Sequence, residues 1–176
     1  RSYYMSTPRL ANDEDIEWVV PFESVALDRL FQLDVRPQSL SDICELLALA
    51  PQLKEWLLPL LTSDPPAYTK SWQGSKPRIR YFGHACVLIE VNGVSILTDP
   101  FVSVSPKHME VERYTFSDLP KKIDYVLITH GHHDHFVFET LLRLRHRVGT
   151  LVVPKNSGIF YGDLSLKQLG SRLGFK

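Results

Sequence analysis

Ile123-Asp124-Tyr125-Val126-Leu127-Ile128-Thr129, followed at once by His130-Gly131-His132-His133-Asp134-His135, is the stretch on which the reading of this chain turns. Its first part is a largely apolar run rich in β-branched and aromatic side chains, which predicts a strand buried on both faces. Its second part sets three histidines and an aspartate in the spacing H-x-H-x-D-H. Neutral imidazole and carboxylate are ligands that zinc, iron and manganese accept, and four of them in one loop can serve two ions. A loop at the tip of a buried strand holds such ligands in fixed geometry. Gly131 is expected to supply the backbone freedom that lets His130 and His132 converge. A merely solvated loop would not need four candidate donors at this spacing.

Working outward, Phe136 to Arg145 reads as a helix, Thr150-Leu151-Val152-Val153 as the next strand, and Leu164 to Leu173 as a helix closed by Gly174. Upstream, Ile79-Arg80-Tyr81-Phe82 leads into Ala85-Cys86-Val87-Leu88-Ile89-Glu90-Val91. Asn92-Gly93 is a strong hairpin signal before Val94-Ser95-Ile96-Leu97-Thr98, and Asp99-Pro100 ends that pair. A loop over 101–120 carries His108 and the polar run Glu110 to Arg113. The order is β-hairpin, β, α, β, α, the pattern of an α/β domain over 77–176.

The N-terminal part reads differently. Residues 1–20, acidic around Asn12-Asp13-Glu14-Asp15, form a flexible arm, and 21–76 form a small helical module with a linker. Phe22, Val25, Ala26, Leu30 and Leu33 recur at helical spacing, with Pro21 suited to a first helical turn. Ser39-Leu40-Ser41-Asp42 reads as a capping box for a helix through Ile43, Leu46, Leu47 and Leu49. Pro51 starts a short helix with Leu53, Trp56, Leu57 and Leu60. The greasy run Trp56-Leu57-Leu58-Pro59-Leu60-Leu61 is read as core or homodimer contact in preference to a lipid surface. Asp64-Pro65-Pro66 and Gln73-Gly74-Ser75-Lys76-Pro77 mark the linker over 62–77.

Composition narrows the classes. An apolar content of 44% is that of a packed globular protein, and 20 basic against 20 acidic residues gives no global pull toward nucleic acid or anionic lipid. The balance hides an asymmetry: residues 1–76 carry 11 acids and 7 bases, hence −4, and residues 77–176 carry 9 acids and 13 bases, hence +4. Arg143, Arg145, His146 and Arg147 are the densest basic group, read as a solvated helix end, with an anionic substrate or carrier partner as the alternative. The two cysteines, Cys44 and Cys86, read as small buried hydrophobes in a reducing compartment. No apolar run reaches a membrane span and no signal peptide opens the chain, so a cytoplasmic location is expected. The chain opens on Arg1 rather than methionine, as a cut end or an added remnant would.

H-x-H-x-D-H after a hydrophobic strand, preceded by a hairpin ending in Thr98-Asp99-Pro100, resembles the metallo-β-lactamase superfamily. Tyr81-Phe82-Gly83-His84-Ala85-Cys86-Val87-Leu88-Ile89-Glu90, with its Gly-His-Ala, is similar to the branch that contains L-ascorbate-6-phosphate lactonases and N-acyl-phosphatidylethanolamine phospholipase D. The resemblance covers 78–176 and leaves 1–76 unexplained. It implies a metallo-β-lactamase-like αββα sandwich, of which 77–176 would be the N-terminal half. It also implies that His130 and His132 bind one metal and Asp134 and His135 a second, with Asp99 behind the ligands and His133 at a variable position; His84 matches the family's Gly-His and is read either as a second group behind the ligands or as a satisfied histidine at a strand start. Asp134 is the candidate catalytic group, placed to orient a water or take its proton. The family's second half supplies a further histidine, a bridging carboxylate and a last histidine, and neither His108 nor His146 has the context to replace them. The expectation is therefore that 1–176 is a fragment, its remainder following in the chain or standing as a separate one.

The activity so implied is that of a dinuclear metallohydrolase. A hydroxide bridging two divalent ions, zinc by preference with iron or manganese as alternatives, would cleave an ester, lactone, amide or phosphodiester bond. A second reading, on the same fold, is a di-iron oxygenase resembling the β-hydroxylases that act on carrier-tethered amino acids, and an N-terminal helical module is compatible with it. A non-catalytic scaffold is disfavoured by the intact ligand motif, and a nuclease by the lack of a basic stripe. The expected partner is a small-molecule or carrier-bound substrate.

Overall fold

In the computed structural model the described residues are 18–64, 68–103, 113–155 and 165–175. The expected flexible arm lies outside them except for its last three residues, and so do His108, Glu110 and the segment before Ser165.

Five strands form one sheet in the order β1 (Arg78–Gly83), β2 (Cys86–Val91), β3 (Val94–Thr98), β4 (Ile123–Leu127) and β5 (Val148–Val152). The first three make an antiparallel meander, whereas β3, β4 and β5 run parallel. Asn92 and Gly93 turn the β2–β3 hairpin with φ of 49° and 80°, the positive values that a tight two-residue turn demands. Parallel pairing aligns the C-terminal ends of β3 and β4 with the β1–β2 turn, so three loops meet at one edge of the sheet.

Helices cover one face. α4 (Phe138–Leu144) crosses from β4 to β5, α5 (Leu166–Arg172) follows, and α1 (Val25–Phe31) packs against α4. Phe82, Cys86, Leu88, Leu97 and Val126 from the sheet share one core with Leu27, Leu141, Leu144 and Leu166 from these helices. The other face is open among the described residues. Pairing aligns Ile79, Ile89, Ile96 and Tyr125 in one row across it, and Ile79 and Tyr125 are 66% and 43% exposed. Among the described residues β4 is covered on one side, and its apolar run predicts cover on both. The described helices lie against the face of Leu97 and Val126.

The N-terminal module has a second, smaller core of Ile43, Leu47 and Leu57, and Trp18 packs against both. α2 (Leu40–Leu46) starts as its sequence predicts: the Ser39 hydroxyl accepts from the Asp42 N–H at 3.1 Å, a cap of about 1 kcal/mol. α1 starts later than predicted. Pro21 belongs to a turn in which its carbonyl accepts from the Ser24 N–H at 3.0 Å, and Ser24 is the cap. The greasy run passes from the end of α3 (Lys54–Leu57) into a 3-10 turn over Leu58–Leu60, with Leu57 buried while Trp56, Leu58 and Leu60 are exposed. The linker's second half is an ordered strap: Trp72 and Gly74 accept from Gly93 and Asn92, and the Trp72 N–H reaches the buried Glu90. No helix among the described residues is long and apolar enough to cross a membrane.

The basic group has a different role from either reading of the sequence. Arg145 is buried: its guanidinium pairs with Asp28 at 2.8 Å and donates to the carbonyls of Phe22, Ser24 and Leu173. Arg147, also buried, pairs with Asp34 and meets the Tyr68 hydroxyl at 3.2 Å. These cations fasten α1 and the turn after it to the sheet domain. Gly174, at φ 85°, is the site where a side chain would strike Arg145, 2.6 Å away.

Candidate metal centre

The loop after β4 is tied down at both ends. The Ile128 N–H bonds to Val152 at 2.9 Å, and the N–H groups of His135 and Phe136 both reach the His132 carbonyl, at 3.0 and 2.9 Å. That single uncontinued helical turn folds the histidines over the strand tip, and Phe136, 3% exposed, anchors it in the core. Gly131 is not among the described residues with positive φ. A Cβ there would lie 3.3 Å from Leu166, so the glycine serves close packing of α5 beneath the loop rather than an unusual backbone angle.

Two pairs of donor atoms result. His130 Nε2 and His132 Nδ1 stand 2.9 Å apart, while His135 Nε2 and Asp134 Oδ2 are separated by 3.9 Å. The pairs adjoin, with the His130 and His135 ring centroids 3.9 Å apart. His84 completes the second group from the β1–β2 turn, its Nε2 3.0 Å from Asp134 Oδ2 and 3.3 Å from His135 Nε2. His84 adopts φ 52°, a left-handed value uncommon outside glycine, and Phe101 packs edge-on against its ring at 5.8 Å. Its turn is pinned by Thr98, whose hydroxyl donates to the Ala85 carbonyl at 2.6 Å and accepts from the Val87 N–H at 3.0 Å.

Asp99 lies behind the loop, 1% exposed, and accepts from the Thr129 N–H and hydroxyl, both at 2.7 Å. His135 Nδ1 lies 3.1 Å from the same carboxylate. Burial pushes the Asp99 carboxyl up, but the two Thr129 donors and the His135 ring outweigh it and hold it below the usual carboxylate value. Asp134 is also held low: partial burial raises it, and its own backbone N–H with the His135, His84 and His133 rings outweighs that.

The donor chemistry fits metal ions. Imidazole nitrogen paired with imidazole nitrogen, beside imidazole nitrogen paired with carboxylate oxygen, is a borderline-to-hard set for zinc, iron or manganese. Among the described residues no lysine or arginine pairs with Asp134. Of the residues singled out in the sequence, His130, His132, Asp134, His135, Asp99 and His84 gather here. His133 is exposed outside both pairs. His146 sits elsewhere, half-buried beside Arg147, with burial the main cause of its lowered pKa. Thr129 is the functional candidate that sequence reasoning passed over, its hydroxyl 2.9 Å from His130 Nδ1. The signal available was its place between the apolar run and the first histidine.

Two family models match the chain: a beta-lactamase superfamily domain over residues 78–171 and a diiron non-heme beta-hydroxylase N-terminal domain over 1–65. The 4-amino-L-phenylalanyl-(CmlP-peptidyl-carrier-protein) 3-hydroxylase of Streptomyces venezuelae is 37% identical over 182 residues, covering 99% of this chain and 34% of that protein. A UPF0173 metal-dependent hydrolase of Exiguobacterium sp. is 32% identical over 96 residues, 54% of this chain and 40% of that one. The solved structure of CmlA, a diiron beta-hydroxylase from Streptomyces venezuelae, aligns with a TM-score of 0.71 at 36% identity, covering 89% of this chain and 28% of its own. The present chain thus spans about a third of the length of the hydroxylase.

Proposed function

Because this chain belongs to the beta-lactamase superfamily, we propose that His130 and His132 hold one metal ion and Asp134 and His135 a second. The enzyme they serve, in this reading, is a di-iron hydroxylase acting on an aminoacyl group tethered to a carrier protein. The observation that carries it is the helical module. Residues 1–65 match the N-terminal domain of diiron hydroxylases, and likeness to the Streptomyces hydroxylase runs through nearly the whole chain. The hydrolase relative matches about half. The same likeness moves the preferred ion from zinc to iron, which this donor set accepts equally.

With two irons bound, the centre would supply dioxygen activation, a C–H bond becoming C–OH while an external reductant gives two electrons and the second oxygen atom leaves as water. The chain's own residues prepare that site. Asp99 holds His135 through Nδ1, leaving Nε2 as the donor. His84 Nε2 stands 3.0 Å from Asp134 Oδ2 and, carrying its hydrogen there, would fix the carboxylate's rotation. Asp134, 37% exposed at the mouth of the loop, is the group placed to take or hold a proton beside the reacting atoms. The β-carbon is the position that the relatives' names favour.

A metallohydrolase remains the second reading, favoured by the likeness to the metal-dependent hydrolases. Metal analysis with an optical spectrum of the full-length enzyme separates the two. Two irons per chain, with absorption that bleaches on reduction, and an aminoacyl-carrier thioester that gains one oxygen atom are the expected results. Two colourless ions and water-dependent bond cleavage would overturn the hydroxylase.

A further inference from the structure

We infer that Thr129 is a positioning residue: its hydroxyl links Asp99 to His130, so that one buried carboxylate sets the ring tautomer of a ligand to each of the two ions. The inference rests on the ligand assignment proposed above. It follows from counting protons. A carboxylate only accepts, and a hydroxyl has one proton. Thr129 Oγ1 lies 2.7 Å from Asp99 Oδ2, so that proton goes to Asp99.

Thr129 Oγ1 is then left with lone pairs alone. His130 Nδ1, 2.9 Å away, must bring the hydrogen to that contact. A neutral imidazole has one N–H, so His130 carries its free lone pair on Nε2, the atom that faces His132 Nδ1. His135 reaches the same state chiefly without a relay, because its Nδ1 faces Asp99 Oδ2 at 3.1 Å, with Thr129 Oγ1 farther off at 3.4 Å, and its Nε2 faces Asp134. One carboxylate therefore orients one histidine of each donor pair, directly in one case and through Thr129 in the other.

Placement of the carboxylate is itself constrained. Asp99 adopts φ 33°, in the left-handed region, and its N–H is bonded to the Leu127 carbonyl at 2.8 Å. Both of its oxygens are then used on Thr129, one by the N–H and one by the hydroxyl. A threonine at a strand end could instead serve shape alone. Valine keeps that shape and removes the hydroxyl, and serine does the reverse.

The test is titration of the metal-free full-length enzyme with zinc against a competing chelator. It compares wild type with Thr129→Val, Thr129→Ser and Asp99→Ala, with thermal unfolding of the metal-free proteins as a folding check. Thr129→Val is expected to weaken one of the two ions by roughly 10–100-fold and leave the other unchanged, the range for losing a group behind a metal ligand. Thr129→Ser should restore tight binding, and Asp99→Ala should weaken both ions. Thr129→Val that binds both ions like wild type, weakens both equally, or is not rescued by serine overturns the relay. A wild-type enzyme taking up fewer than two ions would fail earlier and bring down the ligand assignment with it.

Discussion

Two stretches of this chain look alike in composition and end in opposite roles. His130 to His135 and Arg143 to Arg147 are each a dense run of ionisable side chains at the end of a regular element. In the second, Arg145 and Arg147 are buried and fully engaged by the chain's own groups: Asp28, Asp34, Tyr68 and a set of backbone carbonyls. In the first, the donors face one another. His130 Nε2 stands 2.9 Å from His132 Nδ1, so a single hydrogen can lie between two nitrogens that could each offer a lone pair to an ion. A cluster whose buried cations meet the chain's own carboxylates and carbonyls is a fastening, and one whose lone pairs converge with no lysine or arginine beside Asp134 among the described residues is a candidate site.

That contrast can be broken from either side. The largest effect is expected for His132→Ala, which should remove one ion and reduce activity by more than about 100-fold, beyond the range for losing a group behind a ligand. Its metal-free form should unfold like wild type. Metal content by elemental analysis checks it, and an unaltered two-ion complex would refute the assignment. Arg145→Met should act in reverse, costing about 3 kcal/mol in urea unfolding because Asp28 and several carbonyls lose a buried cation. Its remaining folded fraction should still bind metal, whereas a loss of metal without a loss of stability would erase the distinction. Arg143→Ala should have the smallest effect. Its guanidinium lies 4.0 Å from the Phe116 ring centroid, a stacking contact of about 0.5–1 kcal/mol at a partly exposed site. A larger destabilisation would place Arg143 with the two fastening arginines.

Much of the architecture could be read along the chain, for reasons visible in particular residues. Ser39 with Asp42 announced α2, and Asn92-Gly93 announced the β2–β3 hairpin, because caps and tight turns are written within four residues. Pro21 misled, since a turn and a first helical turn share its φ, and only the Ser24 cap decides between them. Gly131 misled in another way. Its lack of a Cβ serves Leu166, a neighbour 35 positions along the chain.

The sequence by itself determined the candidate ligand types, their spacing and the strand that carries them, since each is a local pattern of residue kind and period. Tertiary structure alone decided that His135 Nδ1 faces Asp99, that Thr129 stands between Asp99 and His130, and that Arg145 meets Asp28 across 117 positions. The physical reason is the range of the encoding. Periodicity and turn chemistry act between near neighbours. A hydrogen bond between distant residues exists only once the sheet and its helices have closed the intervening chain.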